Sequence, residues 1–511
     1  MALRHKIDSN ETSLFYAEEE SLGVLPAVPV WIPLEPNEYD DFGGELTLLA
    51  RNPINSSRQR KKGVITDLDA SGGFQQDFTQ TNFQDLLKGF MFANYREKPN
   101  AIVTEVTGTG YTVADASAFD DGMLILASGF EDPANNGLKL VTGTSGSPAT
   151  SVLVAGLVAE ASPPADAKIV VVGVQGDTAD ITVDMSGTYP KIISTEFDFE
   201  ALGIIAGEWF FVGGDEIINR FDAAENNGFK RVYRVNGNEI EIDNSNEVMT
   251  ADAGTGKNIY LIFGRVLKNE LGALIIRRSY QIERQLGAPD TADLNALQAE
   301  YLVGAVANEF TMNIEQADKI TADIAFVAID NEQRTASQGI KAGTRVPLVE
   351  TDAFNTSSDF SMLKLYIRQP GVYAATPLFA YLTELSLSIN NNVTPNKAVA
   401  VLGAFDVSVG TFEVSGEATA YFTTIEAVQA VRRNADVGIY VAVSKANAGW
   451  VFDIPLLALG DAQNDVSQDE PITLPLSMEA GTAAKLNRET DYTLMWVFFD
   501  YLPTWSNPNN V

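Results

Sequence analysis

Two stretches with one pattern, Glu45-Leu-Thr-Leu-Leu-Ala-Arg-Asn52 and Glu384-Leu-Ser-Leu-Ser-Ile-Asn-Asn391, decide the fold class of this 511-residue chain. In both, apolar side chains alternate with polar ones, which is typical of a β-strand with one buried face. Similar short runs occur at 310–314 and 439–443. The sequence therefore predicts a mainly β fold.

The outer parts of the chain contain the same features twice and in the same order, which indicates a duplicated unit. We call these copy 1 and copy 2. The matching pairs are Glu45 and Glu384, Ser71-Gly72 and Ser415-Gly416, Phe78 and Phe422, the strands at 310–314 and 439–443, and Asp323 and Asp453.

Helices are predicted in only three places. The clearest covers residues 82–95, with Asn82 as its N-cap and Asp85 in its first turn. Its apolar stripe consists of Phe83, Leu86, Leu87, Phe90 and Met91. A second helix, over 425–433, is expected to place Ile425, Val428 and Val431 on one face. A third is expected between Asp293 and Val306.

Residues 98–268 interrupt copy 1 and carry a repeat of their own. Asn135-Asn136-Gly137 returns as Asn226-Asn227-Gly228, 91 positions later. Asn-Gly between apolar runs indicates a tight turn, because both residues tolerate positive φ. We predict two lobes, 98–187 and 188–268, each a small β-barrel or sandwich. Since this insertion can bury its own core, we expect the framework to form without it.

The sequence thus predicts three domains. The first is discontinuous, at 1–97 and 269–350, the second is the insertion at 98–268, and the third covers 351–511. The first and third are expected to be β-sandwiches, each with a flanking helix.

Composition excludes several function classes. The chain has 35 Lys and Arg against 68 Asp and Glu, a net charge of −33, so tight binding to nucleic-acid phosphates is not expected. There is no cysteine, and the single histidine, His5, is interpreted as a solvated end residue. No secretory signal or membrane-spanning stretch is recognised, so we expect synthesis in a cytosol and no membrane partner.

Motifs that suggest chemistry fail on their spacing. Gly254-Thr-Gly-Lys257 lacks the flanking residues of a phosphate loop. Asp67-Leu-Asp-Ala-Ser-Gly72 begins like a calcium loop, but Phe78 stands where a glutamate is needed. Asp215-Glu216 is one acidic pair among many. The aromatic segment 492–501 is predicted to be a buried strand rather than a carbohydrate platform. We predict no enzyme, no catalytic residue, no cofactor and no metal.

The framework resembles the tail tube, or major tail protein, family of siphophages, which have long non-contractile tails. The resemblance rests on a long hairpin loop at 51–63, then Ser71-Gly72 and the helix from Asn82, and on 279–285 and 300–308. It implies a structural virion protein whose rings stack into a tube that conducts DNA from capsid to host cell. It also implies other tail proteins at the tube ends, location in the virion tail and assembly in the host cytoplasm. The insertion resembles an outward-facing decoration domain.

Arg58-Gln-Arg-Lys-Lys62 is the one dense basic run. A solvated loop is one interpretation. A DNA-binding patch is disfavoured, because no interleaved aromatic residue is present for base stacking. We favour contact with the acidic face of a neighbouring ring, and predict Arg58, Arg60, Lys61 and Lys62 as inter-ring contact residues.

Two framework copies in one chain predict a ring of three chains that imitates sixfold symmetry. A hexameric ring is the other stoichiometry. The alternative from another functional class is a glycan-binding or adhesin-like protein of β-sandwiches, with the lobes of 98–268 as receptor-binding heads.

Overall fold

The computed structural model is mainly β, as the sequence predicts. It describes residues 7, 9–52, 54, 56, 59–243, 248–287, 297–367, 376–379, 381–461, 463–485 and 490–507. By their contacts the residues form two compact units. Unit 1 is Met1–Ala93, Glu270–Thr356 and Thr383–Ala418; unit 2 is Asn94–Asn269, Ser357–Leu382 and Thr419–Val511. These bounds differ from those of the three predicted domains, and the division into three domains stays a prediction.

The described part contains two α-helices, α1 (Gln84–Met91) and α2 (Ile425–Arg432), one in each unit. Its strands in chain order are β1 (Ser13–Glu18), β2 (Val30–Leu34), β3 (Pro36–Arg51), β4 (Lys61–Asp77), β5 (Asn100–Thr107), β6 (Gly110–Val113), β7 (Met123–Ser128), β8 (Gly137–Gly146), β9 (Ala149–Val154), β10 (Lys168–Gln175), β11 (Thr182–Asp184), β12 (Lys191–Ile193), β13 (Trp209–Val212), β14 (Gly228–Asn236), β15 (Glu239–Ile242), β16 (Tyr260–Phe263), β17 (Arg265–Lys268), β18 (Tyr280–Gly287), β19 (Gln298–Glu315), β20 (Thr321–Ala328), β21 (Asp330–Arg334), β22 (Thr344–Arg345), β23 (Phe360–Ile367), β24 (Thr376–Pro377), β25 (Leu382–Asn390), β26 (Thr394–Lys397), β27 (Ala404–Ser408), β28 (Glu413–Tyr421), β29 (Val437–Lys445), β30 (Ala448–Asp461), β31 (Thr473–Ala480) and β32 (Met495–Phe499).

Unit 1 is organised around the long strand β19. The second half of β19 pairs with β20 on one side and β25 on the other, and the sheet continues from β20 through β4 to β3. The first half pairs with β18 and β21. Gly304 lies in this first half with a φ of 61°, a conformation that glycine adopts without strain. A Cβ at this position would also lie against the side chain of Ile329. One strand therefore serves two layers of unit 1.

The helix predicted between Asp293 and Val306 is wrong. Asp293 lies outside the described residues, but 298–306 belong to β19. Tyr301 and Leu302 point to opposite faces of this half of the strand and are both fully buried, so both faces are covered. A strand buried on both faces has a nearly continuous apolar run, which periodicity alone does not distinguish from a helix.

Helix α1 confirms the clearest prediction, with shorter bounds. The five side chains of its predicted apolar stripe are all buried, and Asp85 lies in its first turn. Asn82 is not the N-cap. Its amide group instead donates to the carbonyl oxygen of Asp77 and accepts from the backbone N–H of Thr79. The helix ends at Met91, because Phe92 adopts a left-handed conformation with a φ of 47°.

Helix α2 lies where it was predicted, but its buried face is different. Ala427 and Ala430 are the buried residues, while Ile425, which was expected on the core face, is 57% exposed. Val428 and Val431 are half-buried. The small alanines thus define the packed face of α2.

The first lobe of the insertion, in unit 2, is a closed barrel of six strands. In order around the barrel these are β5, β6, β9, β8, β7 and β10, and β10 pairs back onto β5. Closure leaves no free sheet edge in this lobe. β10 also pairs with β16 of the second lobe, whose sheet continues through β13, β14, β15 and β12 to β11.

The repeat within the insertion corresponds to one conformation that occurs twice. Asn135 donates to the carbonyl oxygen of Val158 and accepts from its N–H, both at 2.9 Å. Asn226 makes the same two bonds with Thr250, also at 2.9 Å. Both asparagines are fully buried, and each ends a short 3₁₀ turn. The repeated Asn-Asn-Gly therefore fixes a later loop to the 3₁₀ turn that precedes β8 in one lobe and β14 in the other.

The insertion shares an apolar core with the strands that follow it in unit 2. The ring of Trp209 lies 4.6 Å from that of Tyr440, and the ring of Phe229 lies 5.7 Å from that of Phe499. All four side chains are buried. This packing argues against the expectation that the framework forms without the insertion, because removal would expose the facing side of β29 and β32.

A buried ionic cluster lies in the same part of unit 2. Its centre is Arg231 on β14, whose guanidinium is 3.4 Å from a carboxylate oxygen of Asp243 and 3.3 Å from one of Asp453. Arg231 also donates to the hydroxyl groups of Tyr366 and Tyr492. Burial alone would lower the pKa of Arg231, but the carboxylates outweigh it and hold the pKa above its ordinary value.

Candidate self-association surface

The hairpin loop that the sequence places after an early strand is the outer part of a long antiparallel hairpin in unit 1. β3 and β4 pair from Pro36 and Gln76 out to Arg51 and Lys61, and the register shifts at several irregularities. The inner part of β4 pairs with β20, whereas the outer part extends beyond that pairing. The sequence thus builds a hairpin whose end is available to another molecule.

Both faces of the outer hairpin are apolar and exposed. Leu48 and Leu49 are 67% and 63% exposed, and their cross-strand partners Ile65 and Val64 are 51% and 52% exposed. Consecutive residues of a strand point to opposite faces, so each face carries one of these pairs. Exposed apolar pairs on both faces of one hairpin indicate an interaction site.

The predicted basic residues lie at the end of this hairpin. Arg60, Lys61 and Lys62 are exposed, and Lys61 pairs across the strands with Arg51. None of the three side chains forms an ion pair within the part of the chain that the structure describes. Arg58 lies outside the described residues, as does His5. The structure therefore brings three of the four predicted cations together next to the apolar surface.

A second hairpin of unit 1, β26–β27, was missed by the sequence analysis. It lies between β25 and β28, and its base is closed by the N–H of Gly410, which donates to the carbonyl oxygen of Asn391 at 3.0 Å. Its end exposes Val399, Val401, Leu402 and Phe405. The available signal was the run Ala398-Val-Ala-Val-Leu402 between polar segments. It is too short to show a period, but it is unusually apolar for a loop.

Lys397 fixes this second hairpin to β4. Its ammonium group lies 2.6 Å from a carboxylate oxygen of Asp67 and also bonds to Asp69. The bond from Lys397 lowers the pKa of Asp67, and the two carboxylates raise the pKa of Lys397. In the stretch 67–72, which begins like a calcium loop, the two carboxylates thus bind the lysine ammonium group. No cluster of three potential metal ligands occurs among the described residues.

The other motifs serve structural roles in unit 2. Lys257 pairs with Asp222 at 2.7 Å, and a strand, β16, follows it in the chain. Asp215 accepts hydrogen bonds from the hydroxyl groups of Tyr501 and Thr504. All five residues of β32 are buried, which confirms the predicted buried strand in the aromatic segment.

Among the described residues, no helix has the length and apolar character needed to cross a membrane. Comparison with curated proteins gives no match. A family model described as "phage tail tube protein" matches residues 9–480. The match covers nearly the whole chain, including both hairpins, both helices and the insertion. It confirms the resemblance found in the sequence, and the chain belongs to the phage tail tube protein family.

Proposed function

We propose that this chain is the subunit of stacked rings that form the phage tail tube and conduct DNA from the capsid to the host cell. Family membership makes it a structural component of the virion tail. The observation that best supports ring formation is the outer β3–β4 hairpin, which exposes apolar side chains on both faces.

The partner of this hairpin is another copy of the chain. Burying a Leu, Ile or Val side chain contributes about 1.5–3 kcal/mol, so four such residues supply a substantial association energy. The cations Arg60, Lys61 and Lys62, with Arg58, add contacts that are weak singly but repeat around a ring. Other tail proteins are expected at the tube ends, and assembly is expected in the host cytoplasm.

The net charge suits a channel that DNA passes through without tight binding. Each chain carries −33, so a surface of this composition repels phosphates and does not retain them. The role is structural, and it requires no catalytic step.

The ring is proposed to contain three chains. Each chain contains two similar framework copies, copy 1 and copy 2, so three chains place six such copies around the channel. Such a ring carries a net charge of −99, given −33 for each chain. Salt screens this repulsion over about 8 Å at physiological ionic strength, so assembly should depend on salt.

Negative-stain microscopy of concentrated protein tests the proposal. We expect filaments of stacked rings with an axial channel of at least duplex width, about 20 Å. The variant Leu48→Asp with Leu49→Asp should stay soluble and form none. Ile217→Asp, at a residue of unit 2 that is 77% exposed, is the matched control and should leave filaments unchanged. Discrete oligomers from the unaltered chain would favour the adhesin-like alternative.

A further inference from the structure

The ion pair of Lys397 joins the two copies within one chain. Lys397 is the last residue of β26, in the hairpin that follows the first strand of copy 2, β25, and its partners Asp67 and Asp69 lie on β4 of copy 1. The basic run that includes Arg60 and Lys61 lies at the corresponding place in copy 1, between the end of β3 and the beginning of β4. The observed contact is thus a hairpin cation of one copy against the returning strand of the other.

The returning strand of copy 2 carries a carboxylate at the matching position. Asp69 precedes Ser71-Gly72 by two residues, and Glu413 precedes Ser415-Gly416 by two residues. Glu413 is exposed on β28, and so is Glu417, four residues further along and therefore on the same face. Neither forms an ion pair within the described residues.

We propose that Arg60, Lys61 and Lys62 of one chain bind the Glu413 face of β28 in a second copy of this chain. The contact repeats between chains what Lys397 does with Asp67 and Asp69 inside one chain. This inference rests on the proposed ring, in which copy 1 and copy 2 alternate. Since the observed contact joins neighbouring copies, its repeat joins neighbouring chains of the same ring. The acceptor is then in the same ring and not, as the sequence analysis predicted, in the next one.

The charges of the two surfaces are complementary. Three exposed cations lie at the end of the β3–β4 hairpin, and two exposed carboxylates, Glu413 and Glu417, lie on one face of β28. Lys397 shows that one lysine can hold two carboxylates spaced by two residues on a strand. The apolar side chains of the outer hairpin would be covered together with this contact.

Chemical cross-linking locates the acceptor, because the chain has no native cysteine. Filaments of the variant Lys61→Cys with Glu413→Cys are treated with a short bismaleimide, since an ion pair between long side chains separates the Cα atoms too far for a disulfide. We expect covalent oligomers that end at three chains. A ladder that continues without limit would place the acceptor in the next ring and overturn the inference. The variant Asp69→Cys with Lys397→Cys is the control and should link within one chain.

If the two cysteine substitutions themselves block assembly, exchanging the charges tests the same contact. Lys61→Glu with Lys62→Glu should reduce filament yield at least tenfold, and Glu413→Lys with Glu417→Lys should do the same. Combined in one chain, the four changes should restore at least half of the yield. No restoration, with all three variants folded, would overturn the inference. Failure of the unaltered chain to form filaments would instead overturn the proposed function.

Discussion

The Nε atom of Arg231 lies 3.3 Å from Oδ2 of Asp453, and both side chains are fully buried. Arg231 belongs to the insertion and Asp453 to β30 in the last part of the chain. A decoration domain that folds independently of the framework is not expected to share a buried ion pair with it. The pair, together with the core around Trp209 and Tyr440, makes the insertion a structural part of unit 2.

Replacing Arg231 by methionine should destabilise the protein strongly. The change leaves Asp453 and Asp243 buried without their cation, and breaking a buried pair in this way costs about 3–5 kcal/mol. Chemical denaturation followed by tryptophan fluorescence measures the loss. Arg234→Met on the same strand is the control, because Arg234 is exposed and its loss should cost about 1 kcal/mol or less. Equal midpoints for the two variants would contradict the buried cluster.

Replacing residues 99–268 by a short Gly-Ser linker should yield a protein that aggregates. The deletion uncovers Tyr440 and Phe499, which pack against Trp209 and Phe229 in the complete chain. Size-exclusion chromatography and circular dichroism report the outcome. A soluble, folded product that forms filaments of unchanged inner diameter would show that the framework does not need the insertion.

The two lobes should respond equally to the loss of their buried asparagines. Asn135→Ala leaves the N–H and carbonyl of Val158 without their partner, and Asn226→Ala does the same to Thr250. Each variant loses two part-buried hydrogen bonds of about 0.5–1.5 kcal/mol net each, so both should lose about 1–3 kcal/mol in thermal unfolding. Asn100→Ala, at an exposed residue, is the control. A large loss in only one lobe would mean that the lobes are not equivalent.

The contact between Lys397 and Asp67 should persist from neutral pH to below the ordinary pKa of aspartate. The bond from Lys397 lowers the pKa of Asp67 in the folded protein, so its stabilising effect is present above the unfolded pKa and is lost as pH falls through the folded one. Because the carboxylates raise the pKa of Lys397, the contact survives on the alkaline side until pH passes that raised value. Carboxyl NMR of aspartate-labelled protein measures the titration.

The control for this titration is Lys397→Ala. In that variant the pKa of Asp67 should return towards its ordinary value, while Lys397→Arg should keep it low. An Asp67 that titrates identically in all three proteins would show that the lysine does not hold the second hairpin in solution.

Much of the fold was predictable because one-sided strands show their period. Glu384-Leu-Ser-Leu-Ser-Ile falls in β25 with its apolar face buried, and the stripe of α1 is buried as its spacing requires. Glu45-Leu-Thr-Leu-Leu falls in β3, but there the expected buried face is wrong, because both faces of the outer hairpin are exposed. The repeat within the insertion was also visible, and Asn135 and Asn226 make the same hydrogen bond to a backbone carbonyl oxygen in their lobes.

Two elements buried on both faces, the first half of β19 and the short strand β13, were not predicted as strands, although the buried strand β32 was. In β13, Phe210 and Val212 face the core within the insertion, while Trp209 and Phe211 face the core shared with β29 and β32. The apolar run Trp-Phe-Phe-Val indicates burial on both faces of the strand, but it does not identify the elements that cover each face. The basic run at the hairpin end was recognised, yet its partner depends on contacts that no single-chain pattern encodes.

Helical reconstruction of assembled filaments tests the duplication of the framework and the ring that follows from it. The two framework copies in each chain, copy 1 and copy 2, predict a ring of three chains. Such a ring has true threefold symmetry and six similar sheets around the channel. The copies differ at the hairpin ends, where Lys61 and Lys62 of copy 1 have only Lys397 as their counterpart, so exact sixfold symmetry is not expected. A ring of six chains would contradict the duplicated unit as the basis of assembly.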